Sequence, residues 1–286
     1  MSTPRKVTPH PSIRPATTET DRGSFATWVC APAGSSLPRG NVILVPGFTG
    51  SKEDFGELLP LLADTGWQAA TYDQRGQFET PAAGSDGDLS LAGLAADLVA
   101  VTGALFGRDE RTHLVGHSFG GLVATTAVVE SPELWASLTL MCSGPGGFDG
   151  PKGQEALDGA TLIETQGLEA AYESRSRRAI DRGQQLPAAE IEQFLRTRFM
   201  ANSQASLAAM ARLLATAPDR TTELASSGVK VAVLRGADDD AWPHAVQDEL
   251  AAALGTSVVV IRQSAHSPAV EAPEETRDAL ARIWMS

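Results

Sequence analysis

Cysteine is scarce in this chain, with two in 286 residues, Cys30 and Cys142. Each lies beside an apolar, strand-like run, which favours buried free thiols over a disulfide and a reducing compartment over an oxidising one. Positive charge is also short. Lys and Arg total 23 against 35 Asp and Glu, a formal charge of -12 with His neutral. A negative field repels phosphate backbones and anionic lipid, so this reading excludes nucleic acid and membrane surfaces as partners and expects a small-molecule substrate. The N-terminal stretch is rich in Pro and Thr and has no apolar run, so it resembles neither a signal peptide nor a transmembrane helix. Residues 1–22 are therefore expected to be a disordered arm, and the protein to be cytoplasmic. There is no spaced cluster of His, Cys and carboxylates, and neither G-x-x-x-x-G-K nor G-x-G-x-x-G opens a helix after the first strand. No metal and no cofactor are expected.

What is present has the composition of a globular protein, 42% apolar and 20% charged. The length suits one large domain or one carrying an insertion. Two hydrophobic periods alternate along it. Val42 to Val45 is a continuous apolar run ending in Pro46-Gly47, as in a strand buried on both faces. Phe55, Leu58, Leu59 and Leu62 then follow helical spacing up to Gly66. Trp67 to Tyr72 reads as strand, and Leu91, Leu94, Leu98, Val101 and Leu105 mark a helix ending at Gly107. The alternation repeats with a strand at Thr112 to Gly116, a helix at Phe119 to Glu130 and a strand at Leu138 to Met141. Such repeats predict a mostly parallel sheet with helices on both faces, an α/β fold. From Asp149 to Ser227 only helix-compatible stretches occur, and strand patterns resume at Val229 to Leu234 and Val258 to Ile261. A helix from Pro273 would close the chain, docking Leu280, Ile283 and Trp284. The expected organisation is a core of residues 23–148 and 228–286 with an inserted helical cap at 149–227.

Between the strand ending at Val115 and the helix starting near Gly120 lies Gly116-His117-Ser118-Phe119-Gly120, a match to G-x-S-x-G. Its strand, turn and helix context is what a nucleophile elbow requires. A serine hydroxyl needs a base to take its proton, and the base needs an acid to fix its tautomer and stabilise its cation. Gly236-Ala237-Asp238-Asp239-Asp240 follows the first strand after the insertion, and Ala265-His266-Ser267-Pro268 follows the last. The order Ser, Asp, His and these placements resemble the α/β-hydrolase family, over the chain from about residue 25 to the end apart from the detail of the insertion.

The resemblance implies an α/β-hydrolase fold whose cap is inserted after the sixth strand. It aligns Gly236, Asp239 and Pro243 with the family's acid loop, which selects Asp239, and implies Ser118 as nucleophile and His266 as base. Pro46-Gly47-Phe48-Thr49-Gly50 matches the loop that supplies one oxyanion-hole amide, at Phe48, and Phe119 would supply the second. Asp73-Gln74-Arg75-Gly76 resembles a structural D-x-R-G turn. Two positions depart from the family pattern, Pro46 where His is usual and Phe78 where Gly is common. Asp238, Asp240 and Asp149 remain alternatives for the acid and His244 for the base. His10 reads as exposed, His113 as structural and His117 as supporting. Arg175, Arg178 and Arg182 share a helix face read as solvated and paired with Glu173 and Asp181, with a grip on a substrate anion as the alternative. Phe194, Phe199, Met200, Met210 and Leu213 offer bulk for a pocket roof.

The expected activity is a serine hydrolase that cleaves an ester-type bond of a small or medium substrate through an acyl-enzyme. Thioesterase, lactonase, cofactor-free perhydrolase and carbon-carbon bond hydrolase chemistry use the same triad and stay open, as does a non-catalytic ligand receptor. No oligomeric state is read from the chain.

Overall fold

Eight strands make one sheet in the computed structural model, which describes residues 2–34, 37–82, 88–181, 183 and 187–285. They are β1 (Arg14–Thr20), β2 (Gly23–Cys30), β3 (Asn41–Val45), β4 (Gln68–Tyr72), β5 (Thr112–His117), β6 (Trp135–Met141), β7 (Lys230–Gly236) and β8 (Val258–Ile261). The helices are α1 (Leu58–Asp64), α2 (Leu91–Phe106), α3 (Phe119–Glu130), α4 (Gly150–Asp181), α5 (Ala189–Met200), α6 (Gln204–Thr216), α7 (Thr221–Ser226), α8 (His244–Ala253), α9 (Pro268–Glu271) and α10 (Pro273–Met285). Spatial order across the sheet is β1-β2-β4-β3-β5-β6-β7-β8. β2 pairs antiparallel with β1 and β4, and the remaining neighbours are parallel.

Because side chains alternate along a strand, the buried strands feed two apolar layers. Ile43 and Val45 join Leu114, Leu138 and Val233 on one face, which Leu98 of α2, Val123 of α3 and Leu250 of α8 cover. Val42 and Leu44 join Val115, Met141 and Leu234 on the other, under Leu59 and Leu62 of α1 and Leu280 of α10. This is the mostly parallel sheet with helices on both faces that the alternating periods predict, in the α/β-hydrolase arrangement that the motif resemblance implies. Both cysteines are buried and free.

The disordered arm is not what the structure contains. Residues 14–20 form β1, paired in register from Arg14 opposite Val29 to Thr20 opposite Gly23, while Ile13 and Ser2 are buried. β1 is an edge strand exposed along most of its length, so no apolar pattern marks it. Its stability comes instead from β-branched threonines, including a Thr18 to Thr27 hydroxyl contact of 2.9 Å, and from a two-residue connection to β2.

Between β6 and β7 the chain leaves the sheet for α4 to α7, with no strand among the described residues of this stretch. α4 bends at Gly167, whose φ of 83° is outside helical range. Ile163 and Tyr172 of α4 pack with Phe199 of α5 and Leu207 of α6. The insertion meets the loops beyond β3 and β4 directly, through Ser203 N–H donating to Gly76 C=O at 2.8 Å and Arg175 to Thr49 Oγ1 at 3.4 Å. It therefore lies over the carboxyl ends of the parallel strands, where α/β proteins place their sites.

Two features of the core generate predictions. Asp97 of α2 is buried, and it accepts hydrogen bonds at 2.6 Å from Arg75 Nε of the D-x-R-G turn and from Arg22 Nε. The Arg75 side chain is 5% exposed and that of Arg22 33%. Removing one member of a buried ion pair strands the other charge, at a cost of about 3–5 kcal/mol. Asp97→Ala and Arg75→Ala are expected to lower the unfolding free energy by roughly that amount in urea titrations, and Arg22→Ala by clearly less; the reverse ranking would refute the account.

His113 on β5 is edge-on to Trp67 at 5.1 Å and stacked on Trp284 of α10 at 5.2 Å. Burial, and secondarily Lys230, depress its pKa from 6.5 to about 4. The ring is neutral in the fold and protonated when unfolded between those values, so its contribution is fully present above pH 6.5 and lost as pH falls toward 4. Wild type is expected to lose stability relative to His113→Gln over that window, measured by urea midpoints. A difference that does not change with pH would contradict it.

Candidate active site

Ser118 joins β5 to α3 in a backbone conformation that L-residues avoid, φ 53° and ψ −122°. Its surroundings hold it there. Ser118 N–H donates to Met141 C=O at 2.9 Å, and its own carbonyl accepts from Gly121 N–H at 2.8 Å and Ser143 Oγ at 2.9 Å. The glycines of the motif are needed for close approach rather than for φ. A Cβ on Gly116 would lie 2.6 Å from Gly120 C=O, one on Gly120 would collide with Val45 C=O, and one on Gly121 with Ser143 Oγ. The G-x-S-x-G pattern is thus the sequence trace of β3, β5, α3 and the end of β6 meeting around one serine.

His266 comes to that serine from the loop after β8, its Nε2 lying 3.0 Å from Ser118 Oγ. Its Nδ1–H donates to Asp239 Oδ1 at 2.7 Å. Gly236 makes the meeting possible, since a Cβ there would strike Ala265 C=O, and the two loops join through Asp238 N–H to Ser264 C=O at 3.1 Å. Glu271 Oε2 accepts from Ala265 N–H at 2.6 Å and fixes the histidine loop from below. Asp239 also accepts from Ala241 N–H at 3.1 Å and Gln247 Nε2 at 2.8 Å. Burial alone would raise its pKa, but His266, Ala241 and Gln247 more than offset this and hold it below the ordinary carboxylate value.

The loop Pro46 to Gly50 closes the third side. Gln74 Nε2 donates to Pro46 C=O at 2.9 Å and Gln77 Nε2 to Gly47 C=O at 3.0 Å, so the two glutamines orient the peptides just before Phe48. The amides of Phe48 and Phe119 have no hydrogen-bond partner among the described residues; Phe119 opens α3, where N–H groups lack an i−4 carbonyl. Gly47, Phe48, Thr49, His117, Ser118 and His266 border a cavity of about 150 Å³. Ser2, Phe148, Arg175 and Leu214 complete its wall.

Of the alternatives, Asp238, Asp240 and Asp149 are exposed, and His244 Nε2 donates to Asp239 C=O at 3.0 Å rather than meeting the serine. His10 is exposed. His117 is neutral, its pKa depressed to about 4 by burial and then by the neighbouring His266, and its Nε2–H donates to His266 C=O at 2.6 Å. Pro46 offers its carbonyl to Gln74 Nε2. Phe78, at φ 38°, packs edge-on against Phe194 at 5.7 Å and under the Lys52 ammonium at 4.9 Å.

The insertion departs from expectation in two ways. Phe199 and Met210 are buried in packing and Met200 is exposed; the apolar wall comes from Phe48, Phe148 and Leu214, the last one residue from the expected Leu213 and hence on a different part of α6. The arginine face divides. Arg178 pairs with Glu155 at 3.3 Å, not with Glu173 or Asp181, and Arg175 turns into the cavity. Arg182 lies outside the described residues. Sequence reasoning passed over Gln74, Gln77 and Ser2; the glutamines' nearness to the D-x-R-G turn was the one signal available for them.

Cys142, Asp239 and His266 present donor atoms within 4.8 Å of one another. Burial, and then Asp239, push the Cys142 thiol well above its ordinary value. It is protonated at neutral pH, so the group suits an acid and imidazole pair better than thiolate ligation of a metal. No described helix is long and apolar enough to cross a membrane.

Comparison with known proteins bears on the whole arrangement. Across solved structures, the fold is similar to a carboxylesterase of Nitrososphaera gargenis, with a TM-score of 0.76 and 22% identity over 94% of this chain and 98% of that one. It is also similar to the enol-lactonase of Burkholderia xenovorans LB400, with a TM-score of 0.77 and 17% identity over 95% of this chain and 100% of that one. Among curated proteins, "Putative carbamate hydrolase RutD" of Variovorax paradoxus (strain S110) is 37% identical over 100 residues, 35% of this chain. The match spans about a third of that relative's length, 36%. The model of the alpha/beta hydrolase family matches residues 42–279, from the first buried strand into the last helix. The chain belongs to the alpha/beta hydrolase family.

Proposed function

We propose that the protein hydrolyses an ester-type bond of a small or medium substrate through an acyl-enzyme formed on Ser118. The observation that carries this reading is the unbroken relay from Asp239 to His266 at 2.7 Å and from His266 to Ser118 at 3.0 Å, ending on a serine in strained backbone beside a cavity. In this reading Ser118 Oγ attacks the carbonyl carbon as His266 Nε2 takes its proton. The carbonyl oxygen becomes an oxyanion held by the Phe48 and Phe119 amides, where fixed dipoles lower the barrier without reorganising. Collapse breaks the bond to the leaving alcohol, which receives the proton from His266. Water then repeats the sequence on the acyl-enzyme and frees the acid. Asp239, held ionised by its hydrogen bonds, fixes the tautomer and stabilises the imidazolium. A cavity of about 150 Å³ favours a compact acyl group. The match to the carbamate hydrolase makes carbamates a second substrate arm for any panel.

A fluorophosphonate probe is expected to label the wild type on Ser118, and Ser118→Ala to lose both labelling and turnover while keeping its fold by circular dichroism. More than a few per cent residual esterase activity, or a label elsewhere, would remove Ser118 from the role. Asp239→Asn is expected to cost far more than Asp238→Asn or Asp240→Asn, whose carboxylates face solvent. The equivalent change in a serine protease costs on the order of 10⁴ in kcat. Similar losses in all three variants, measured as kcat on a short p-nitrophenyl ester, would move the acid away from Asp239.

A further inference from the structure

Arg175 is the one arginine on the cavity wall, and it has no carboxylate partner among the described residues. Its hydrogen bond is the 3.4 Å contact from Nη1 to Thr49 Oγ1. Other arginines of the insertion have carboxylate partners: Arg196 meets Glu169, Arg198 meets Asp54 and Arg212 meets Glu164. Thr49 is fully buried at φ 59°, strained for a β-branched residue, and it follows Phe48, whose amide the proposed mechanism places at the oxyanion. A guanidinium with most of its five donors unused therefore lines the cavity that Ser118 and His266 border, beside the loop that carries Phe48.

We infer that Arg175, oriented by the Thr49 hydroxyl, binds a carboxylate carried by the substrate, so that the preferred substrates are short esters bearing a free carboxylate a few bonds from the scissile carbonyl. This deepens the serine-hydrolase reading and rests on it. The planar fork of Arg matches the two oxygens of a carboxylate, whereas a phosphate dianion would call for more cationic partners than one guanidinium supplies. Burial, then the nearby Arg198 and Arg178, lower the Arg175 pKa to about 10, which leaves it charged at neutral pH. An entering anion would offset both effects. The chain's net charge of -12 makes the point sharper, because the general field repels an anionic substrate and recognition must come from a local cation.

The test uses the full chain and a pH-stat, comparing methyl hydrogen succinate, with its carboxylate on the acyl side, O-acetylglycolate, with its carboxylate on the leaving side, and neutral methyl butyrate. Wild type is expected to favour one of the two anionic esters over the neutral one by at least tenfold in kcat/KM, chiefly through KM, and which one identifies the side. In Arg175→Gln that ratio should fall by roughly 10- to 100-fold, the span of a hydrogen bond to a charged group, and Arg175→Lys should recover part of it. Arg178→Gln, an exposed residue paired with Glu155, should leave the ratio unchanged. Equal losses on charged and neutral esters, or an unchanged ratio in Arg175→Gln, would overturn the inference. To separate it from the catalytic reading, calorimetry on Ser118→Ala should detect succinate binding that Arg175→Gln in the same background abolishes. Absent turnover with Arg175-dependent succinate binding would sink the catalytic reading alone, and absent or Arg175-independent binding would sink this one.

Discussion

The site depends on a single backbone constraint, the positive φ of Ser118 at the tip of β5. A non-glycine residue in such a region costs of order 1–3 kcal/mol and persists only where its surroundings over-determine it. Here they do. Met141 at the end of β6 accepts from its N–H, Ser143 donates to its carbonyl, and the three neighbouring glycines let backbone pass where any Cβ would collide. The next strand repeats the device, since Cys142 is at φ 50° and its N–H donates to Leu234 C=O on β7 at 2.8 Å. Strand ends β3, β5, β6 and β7 thus lock one another, and the sheet fixes the serine before any substrate arrives. That rigidity is what allows a 3.0 Å contact between residues 148 positions apart.

Parts of the chain whose environment is set locally were legible in the sequence. Val42 to Val45 and Val231 to Leu234 are apolar because both faces of those strands are covered, and the turns after β5, β7 and β8 put Ser118, Asp239 and His266 at strand ends. Asp239 could be separated from its two neighbours only by resemblance, since composition cannot say which of three aspartates turns inward; burial of one between two exposed carboxylates is a property of the Gly236 turn. What escaped depends on partners distant in sequence. β1 has neither an apolar face nor a buried edge of its own, and it exists because β2 offers an open ladder. The arginine face of α4 was visible as spacing, but whether Arg175 meets solvent or a cavity follows from the bend at Gly167 and from where the Thr49 loop lies. Leu214 replaces Leu213 on the wall because one residue turns a helix by about 100°.

The two histidines at the site stand in unlike environments, His117 fully buried and His266 partly open between Asp239 and Ser118. Their rings are 5.0 Å apart, close enough that a positive charge on one would oppose a positive charge on the other. Burial keeps His117 neutral at working pH, so it competes for no proton and adds no charge. As a neutral ring it still has one N–H, which it gives to the carbonyl of His266 at 2.6 Å. His266 is therefore held at three points, its backbone by His117, its Nδ1 by Asp239 and its loop by Glu271, which leaves Nε2 facing Ser118 Oγ. A polar residue with no charge and a single donor is what this position demands, and a buried histidine meets it because the same burial that would penalise its cation removes any advantage in titrating.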